Sequence, residues 1–211
     1  DSAAPDFARL KEIFRAPSLQ MVSFTITEKG YSLKRGEELL PDVAEDFKKG
    51  PAAPNSYIGK LAALLYERYQ AGKLPLAMVS MDNCSHNGDR LAAAVRAFAD
   101  AWAAAGLVDK GFVDYANDPK AVSFPWSMVD KITPRPDAGV KKMLTDLGFE
   151  DTEAVVTKKN TYVAPFVNAE EAEYLVIEDH FPNGRPTLDK SGVIFTTRKT
   201  VADVERLKVC T

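Results

Sequence analysis

The sequence predicts an α/β fold in which a parallel β-sheet has helices packed on its faces. Amphipathic helical segments alternate with short, unbroken apolar runs, which is the pattern of buried parallel strands joined by helices. Polar residues cluster at the ends of predicted strands in three segments: TITEKGY at 25–31, MDNCSHNG at 81–88 and SFPWSMVDKITP at 123–134. Ligands of open α/β sheets bind beyond the carboxyl ends of the strands, so these segments predict one shared crevice.

The composition is that of an ordinary soluble globular protein. The chain has 211 residues, of which 45% are hydrophobic and 27% charged, and its net charge is −3. Lys and Arg are interspersed with Asp and Glu, so no basic stripe suited to nucleic acid is present. No apolar run approaches the roughly 20 residues of a membrane span, and DSAAPDF does not resemble a secretory signal. We therefore expect a cytoplasmic protein without membrane or nucleic-acid partners.

The two cysteines and two histidines do not form a recognisable metal or disulfide pattern. Cys84 and Cys210 are expected to be free thiols in a reducing compartment, because two cysteines in a chain this long are not a disulfide framework. His86 and His180 are expected to be hydrogen-bonded structural residues. No CxxC or HExxH pattern occurs, so no metal site is predicted.

The first half of the chain predicts three helices and two strands. A helix over 7–15 precedes a buried strand over 19–26, and a polar excursion follows over 30–42. A second helix over 56–72 is followed by a buried strand over 74–81 and a third helix over 88–106. The two longer helices each have an apolar stripe and a glycine at or just after the end, as in Ile58, Leu61, Leu65 and Tyr69 before Gly72.

The second half is less regular. Residues 107–122 are mixed, and Pro125, Pro134 and Pro136 predict that the FPWSMVDKITPRP segment is largely irregular or turn-rich. A short helix is expected over 140–149. Strands are then expected over 161–167, 173–179 and 192–197, with a turn at NGRP (183–186), and a helix over 201–210 with Thr200 as its N-cap.

Polar side chains after the 74–81 strand are the first candidates for a site. Asn83 can donate and accept hydrogen bonds, so at a strand end it can hold a carbonyl substrate or polarise its oxygen. The alternative for Asp82, Asn83, Asn87 and Gly88 is structural, because Asx residues commonly cap the next helix or shape its turn.

Charged residues supply the other candidates, and each has a structural alternative. Glu28 can relay protons or bind hydroxyl groups, or be an exposed turn charge. Asp130 can orient a ribose, a sugar or a base, or form an ion pair or cap a turn. Lys208 can be a general base if it lies in a closed pocket, or a solvated helix charge. Arg185 can bind a carboxylate with two hydrogen bonds, or lie in a surface turn.

Together the ordered segments resemble the polyol-specific long-chain dehydrogenases, a family that includes mannitol 2-dehydrogenase, fructuronate reductase and tagaturonate reductase. The match also includes YLVIEDHFPNGRP at 174–186, GVIF at 192–195 and ERLKVCT at 205–211. The resemblance implies part of a Rossmann-like doubly wound sheet with helices on both faces. It also implies an additional β-rich segment leading into a helical substrate domain.

The resemblance assigns roles residue by residue. Lys208 would be the general base that removes the hydroxyl proton, and Asn83 would share the oxyanion site with an asparagine beyond Thr211. Glu28 would line the proton path from Lys208 to solvent, and Arg185 is the candidate for a substrate carboxylate. The residues expected at the NAD or NADP cofactor are Thr27, Asn83, Val129 and Asp130. Where family members usually have Cys-Asp-Asn, this chain has Met81, Asp82 and Asn83.

The substrate stays open between several classes. A keto sugar acid of the fructuronate type is favoured over a neutral polyol such as mannitol or its ketose fructose, because Arg185 and Lys131 are available for a carboxylate. A non-catalytic α/β module that binds a sugar or a partner is the third reading.

The resemblance also implies a domain organisation. We expect residues 1–136 to be the C-terminal half of a dinucleotide-binding domain, 137–199 its remaining α/β segment, and 200–211 the start of a helical substrate domain. No glycine-rich phosphate-binding turn occurs in the sequence. The chain is thus expected to be the middle of such an enzyme, inactive alone, with the remainder of its own polypeptide as a partner.

Overall fold

The computed structural model describes residues 5–131, 135–158, 160–169 and 173–209 and confirms the predicted α/β fold. The helices are α1 (Pro5–Arg15), α2 (Pro41–Lys49), α3 (Tyr57–Gln70), α4 (Asn87–Ala104), α5 (Lys110–Asn117), α6 (Ala138–Asp146) and α7 (Arg198–Val209). The strands are β1 (Met21–Phe24), β2 (Lys34–Arg35), β3 (Glu38–Leu39), β4 (Leu76–Ser80), β5 (Val122–Ser123), β6 (Ser127–Asp130), β7 (Val155–Val156), β8 (Tyr162–Val163), β9 (Tyr174–Glu178) and β10 (Ile194–Thr196). Short 3₁₀ helices cover Glu28–Tyr31 and Leu188–Ser191. In the described part of the chain, no helix is both long and apolar enough to cross a membrane.

Strand β4 is the centre of a parallel sheet with the order β1, β4, β5. Met21 pairs with Ala77 and Phe24 with Ser80, while Leu76 pairs with Val122 on the other side. Every residue of β4 is buried, which explains why its sequence is an unbroken apolar run rather than an alternating one. A second set of strands has the order β10, β9, β6, and β9 and β10 are parallel.

Helices α3 and α4 supply most of the core beside this sheet. Leu65, Phe98 and Trp102 are fully buried, and they fall on the apolar stripes that the sequence predicts. The indole N–H of Trp102 donates to the carbonyl oxygen of Asp46 at 2.9 Å, so the largest core side chain is also hydrogen-bonded.

A fully buried arginine joins three elements of this core. The guanidinium of Arg68 has no carboxylate partner among the described residues and donates only to backbone carbonyl groups. The acceptors are the carbonyl oxygens of Phe14, Ala16, Leu19, Leu74 and Pro75. The end of α1 and the segments entering β1 and β4 are therefore fastened to α3 through one side chain.

The FPWSMVDKITPRP segment contains a strand that the sequence did not predict. Strand β6 lies within it, β5 ends directly before it, and Phe124, Pro125 and Trp126 separate the two strands. Proline cannot donate to a strand ladder, so it occupies the interruption, while Met128 is buried in β6. Pro134 lies outside the described residues.

The structure also contains short helices and strands, within polar or mixed segments, that the sequence did not predict. The excursion at 30–42 contains the β2–β3 hairpin and the start of α2, and the mixed 107–122 segment contains α5. Helix α7 begins before Thr200, and the N–H of Thr200 donates to Thr197 Oγ1 at 3.2 Å, so Thr197 acts as the N-cap. The strand expected over 161–167 is only Tyr162–Val163.

The chain contains two compact units. The first comprises residues 1–129 and 175–211, and the second comprises residues 130–174. In the second unit, Asp137 caps α6 by accepting the N–H groups of Gly139 and Val140, and Val155 pairs with Val163 in the β7–β8 hairpin. The expected domain boundaries at 136 and 199 remain predictions.

Candidate active site

The segments that follow β1 and β4 are held together by one carboxylate. Phe24 and Ser80 are paired at the ends of these strands. Just beyond them, the carboxylate of Asp82 accepts the backbone N–H groups of Ile26 and Thr27, each at 2.9 Å. The carboxyl ends of two strands whose polar residues the sequence predicts to line one crevice are thus joined.

Tyr31 completes this network from the 3₁₀ helix that follows Thr27. Its hydroxyl donates to the Asp82 carboxylate and lies 2.6 Å from Ser80 Oγ. Burial, reinforced by the hydrogen bond to Asp82, raises the pKa of the Tyr31 hydroxyl above its ordinary value. The hydroxyl therefore keeps its proton to a higher pH than an ordinary tyrosine and serves as a donor to a buried carboxylate.

Thr27 has an unusual backbone conformation at the same point. Its φ is 62° and its ψ is 162°, a region that β-branched residues rarely adopt. Such strain costs about 1–3 kcal/mol and persists only where surrounding contacts enforce it. Here the enforcing contact is the hydrogen bond from the Thr27 N–H to Asp82.

Asn87 joins the end of β4 to the start of β6. Its side-chain amide donates to the carbonyl oxygen of Ser127 at 3.0 Å and to that of Asp82 at 3.1 Å, and its oxygen accepts the Ser127 N–H at 3.1 Å. The side chain is buried, and both ends of the amide are used. Asn87 is therefore a structural residue.

Gly88 permits the close approach of α4 to the interruption before β6. A Cβ atom at this position would lie 2.4 Å from the carbonyl oxygen of Phe124 and 3.0 Å from that of Pro125. Both obstacles are backbone atoms that a side-chain rotation cannot move. Asp82, Asn87 and Gly88 therefore have structural roles in joining the strand ends and α4, rather than being open to a ligand.

Asn83 differs from its neighbours in this segment. It is exposed, and its side chain forms no hydrogen bond with any residue that the structure describes. It lies between Asp82, whose carboxylate is fully engaged, and Cys84, which is buried. Asn83 therefore has a side-chain donor and a side-chain acceptor available to a ligand.

Lys208 reaches the end of β6 from α7. Its Nζ donates to the carbonyl oxygen of Val129 at 2.9 Å, and the side chain is partly buried. Helix α7 also contacts the segment after β4, where the N–H of His86 donates to the Glu205 carboxylate at 3.4 Å. The structure thus brings together Lys208 and Val129, which the resemblance assigns to one site.

Two other predicted residues have partners of their own. Glu28 is exposed and forms an ion pair with Arg90 at 3.2 Å. Arg185 pairs with Asp179 at 2.9 Å and lies over the ring of Phe195, so a carboxylate ligand would have to compete with Asp179 for its guanidinium.

Asp130 is the last residue of β6 and belongs to the second unit. There it accepts a hydrogen bond from Tyr174, and burial together with the Asp130 charge raises the pKa of the Tyr174 hydroxyl. Lys131, next in sequence, pairs with Glu173. The roles assigned to Glu28, Arg185 and Asp130 remain predictions.

Sequence reasoning missed a charged cluster at the start of α7. Arg198 pairs with Glu178 and Asp89 and lies over the ring of Trp126, on which His86 stacks with 4.3 Å between ring centroids. His86 has a left-handed backbone with φ of 54°. These residues lie far apart in sequence and match no spacing motif, so only the tertiary fold brings them together.

Comparisons with known proteins agree with this architecture. The mannitol dehydrogenase Rossmann domain family matches residues 5–190. D-mannonate oxidoreductase from Thermotoga maritima is 52% identical over all of this chain and 39% of its own length. Mannitol 2-dehydrogenase from Cereibacter sphaeroides is 32% identical over 97% of this chain and 39% of its own length.

Two solved structures resemble the chain. A substrate-free D-sorbitol dehydrogenase has a TM-score of 0.72 and 30% identity, covering 98% of this chain and 39% of its own. Pseudomonas fluorescens mannitol 2-dehydrogenase, solved as a ternary complex with NAD and D-mannitol, has a TM-score of 0.62 and 33% identity. The match covers 90% of this chain and 35% of that structure. The chain spans about two-fifths of the length of the relatives it matches. By its sequence and its fold, the chain belongs to the mannitol dehydrogenase family.

Proposed function

We propose that the protein is an NAD-dependent oxidoreductase that interconverts a keto sugar acid of the fructuronate type with its aldonate alcohol. The observation that carries the proposal is Lys208, whose amine lies at the end of β6 beside the Val129 carbonyl oxygen. The 52% identity to a D-mannonate oxidoreductase, against 32% to a mannitol 2-dehydrogenase, favours the sugar acid over a neutral polyol.

The residues present fit the nicotinamide end of a dinucleotide. Exposed Thr27 and Asn83 lie at the ends of β1 and β4, and Val129 lies near the end of β6, the positions at which α/β sheets bind ligands. NAD, when bound, supplies the hydride acceptor for alcohol oxidation. The sequence contains no glycine-rich phosphate cradle, so these residues would hold only part of the cofactor.

The chemical roles of the protein side chains follow from their donors and acceptors. In alcohol oxidation the neutral Lys208 amine removes the hydroxyl proton of the substrate, and in ketone reduction the Lys208 ammonium returns it. The Asn83 amide donates to the substrate oxygen as negative charge develops there. The Val129 carbonyl oxygen accepts a hydrogen bond from Lys208 Nζ and so orients the lysine.

Glu28 and Arg185 complete the proposal. Glu28, as an exposed carboxylate near the strand ends, would pass the proton from Lys208 to solvent, and Arg90 orients it. Arg185 would bind the substrate carboxylate in place of the Asp179 carboxylate.

We place the protein in the cytoplasm, in keeping with the free thiol of Cys84.

Lys208→Ala in the full-length protein is the test of the lysine. Turnover of fructuronate with NADH is expected to fall by about 10²–10⁴-fold, the range for loss of a general acid or base. Lys199→Ala is the matched control, since Lys199 lies on the same helix and its side chain is 83% exposed. A Lys208→Ala protein that turns over substrate like the control would refute the assigned role.

The substrate class is tested by comparing rates with fructuronate, tagaturonate, fructose and mannitol. Faster turnover of the keto sugar acids supports the proposal, and equal or faster turnover of fructose and mannitol supports a neutral polyol dehydrogenase. Sugar binding without any nicotinamide oxidation or reduction would support the non-catalytic module instead.

A further inference from the structure

Helix α7 is anchored to the strands at both of its ends. Near its start, Arg198 Nε donates to both carboxylate oxygens of Glu178, each at 3.0 Å. Near its end, Lys208 Nζ donates to the carbonyl oxygen of Val129 at 2.9 Å. Between these anchors, Val201 is fully buried. The position of the helix is therefore set by specific contacts along its length.

The Arg198 anchor is a closed cluster. Glu178 also accepts the backbone N–H of Trp126 at 3.1 Å, and the Trp126 indole N–H donates to Asp89 at 2.9 Å. Arg198 Nη1 lies 3.4 Å from the same Asp89 oxygen, and the guanidinium is 5.0 Å from the centroid of the Trp126 ring. The side chain of Glu178 is only 12% exposed, so its pair with Arg198 is better shielded than an ordinary surface pair.

Both anchors of α7 rest on the same stretch of chain. Trp126 directly precedes β6, and Val129 lies within it. A helix rises 1.5 Å per residue, so Arg198 and Lys208 are about 15 Å apart along α7. A strand rises about 3.3 Å per residue, so Trp126 and Val129 are about 10 Å apart. Displacement of α7 at the first anchor would thus be transmitted to Lys208 at the second.

We propose that the ion pair of Arg198 and Glu178 positions Lys208. Arg198 fixes the start of α7 against Trp126, and the helix then holds the Lys208 amine at the end of β6. Arg198 acts through the helix and is a positioning residue. The inference deepens the proposed function and rests on it for the catalytic part.

A chemical labelling experiment tests the positioning without requiring turnover. The full-length protein is treated with the N-hydroxysuccinimide ester of acetic acid, and peptide mass spectrometry compares acetylation of Lys208 with that of Lys199. Arg198→Gln and Glu178→Gln are expected to raise relative acetylation of Lys208 about fivefold, which corresponds to the loss of roughly one hydrogen bond. Arg198→Lys, which keeps the charge, should restore part of the protection.

Arg206→Gln is the matched control. Arg206 lies on the same helix, pairs with Asp203, and its side chain is 79% exposed, so its loss removes a positive charge without removing an anchor. Circular dichroism establishes that each variant is folded. If Arg198→Gln does not fold, Arg198→Lys is compared with the control in its place.

Turnover supplies the second measurement. Arg198→Gln is expected to lower kcat by about tenfold or more with little change in KM, because misplacing a catalytic group impairs the chemical step. In a Lys208→Ala background, Arg198→Gln should have no further effect on kcat. Equal Lys208 acetylation in Arg198→Gln and Arg206→Gln would overturn the positioning role. Raised acetylation together with an inactive wild type would support the positioning and refute the proposed function.

Discussion

The carboxylate of Asp82 accepts the N–H of Thr27 at 2.9 Å, and Thr27 has a φ of 62°. The bond joins the segment after β4 to the segment after β1 at a residue whose backbone is strained. Because glycine adopts positive φ at little steric cost, the strain at Thr27 can be measured by substitution.

Thr27→Gly is expected to leave the protein at least as stable as the wild type. Relief of about 1–3 kcal/mol of strain offsets the roughly 0.5–1 kcal/mol that glycine costs through backbone entropy. Thr25→Gly is the control, because Thr25 is exposed and lacks a positive φ, and it should lose about 0.5–1 kcal/mol. Thermal unfolding of the two variants checks the prediction, and equal destabilisation would contradict it.

Tyr31→Phe is expected to change how stability depends on alkaline pH. Burial and Asp82 raise the folded pKa of Tyr31 above its ordinary value, so the folded protein keeps a proton that the unfolded chain loses. The contribution of Tyr31 is fully present below about pH 10 and is lost as the pH rises through the folded pKa.

The stability difference between wild type and Tyr31→Phe should therefore be constant from neutral pH to about 9.5 and shrink above pH 10. Urea denaturation at a series of pH values measures it. Tyr57→Phe is the control, because Tyr57 is 72% exposed, and it should differ little from the wild type at neutral pH. A Tyr31→Phe difference that grows above pH 10 would have the wrong sign.

Gly88→Ala is expected to destabilise the protein by about 1–3 kcal/mol or more, since its Cβ would meet the Phe124 carbonyl oxygen at 2.4 Å. Gly139→Ala is the control at the same position of another helix. Its Cβ would meet only one side-chain oxygen of Asp137, at 3.0 Å, and no backbone atom. The control should be neutral or slightly stabilising, because alanine favours helix. Thermal midpoints that fall equally in both variants would argue against the close approach.

Arg68→Met is expected to lower the free energy of unfolding by about 3 kcal/mol or more. Several carbonyl groups that Arg68 bonds would lose their donor, and buried acceptors without partners cost about 1–3 kcal/mol each. Arg15→Met is the control, because Arg15 pairs with Glu67 on the surface with its side chain 54% exposed, and about 0–1 kcal/mol is expected there. Chemical denaturation compares the two, and similar losses would refute the role given to Arg68.

Hydrophobic pattern predicts the central sheet and the long helices well. The runs at 19–26 and 74–81 become β1 and β4, and the stripes of the second and third helices pack into the core. The same logic fails at β6, because its neighbouring prolines indicate irregular structure. A single break at Phe124–Trp126 is enough to accommodate Pro125.

The candidate site is predictable only in part. Strand-end position identifies the segments that Asp82 and Asn87 bring together, but it does not separate residues used by the fold from residues open to ligands. That separation depends on tertiary hydrogen bonds, such as the one from Tyr31 to Asp82. The Arg198 cluster cannot be predicted from the sequence, because its members come from α4, β9, α7 and the break before β6.

Asn83 is exposed, whereas the side chains of Asp82 and Asn87 are buried and hydrogen-bonded within the fold. Substitutions at these positions should therefore have different effects on the amount of folded protein in a mutational library. Substitutions at Asp82 and Asn87 should lower the amount of folded protein in cells, because each removes buried hydrogen bonds. Substitutions at Asn83 should leave abundance near that of the wild type, since its side chain has no bond within the described chain to lose. Because we propose that Asn83 contacts the substrate, we expect its substitutions to alter activity with little loss of folded protein.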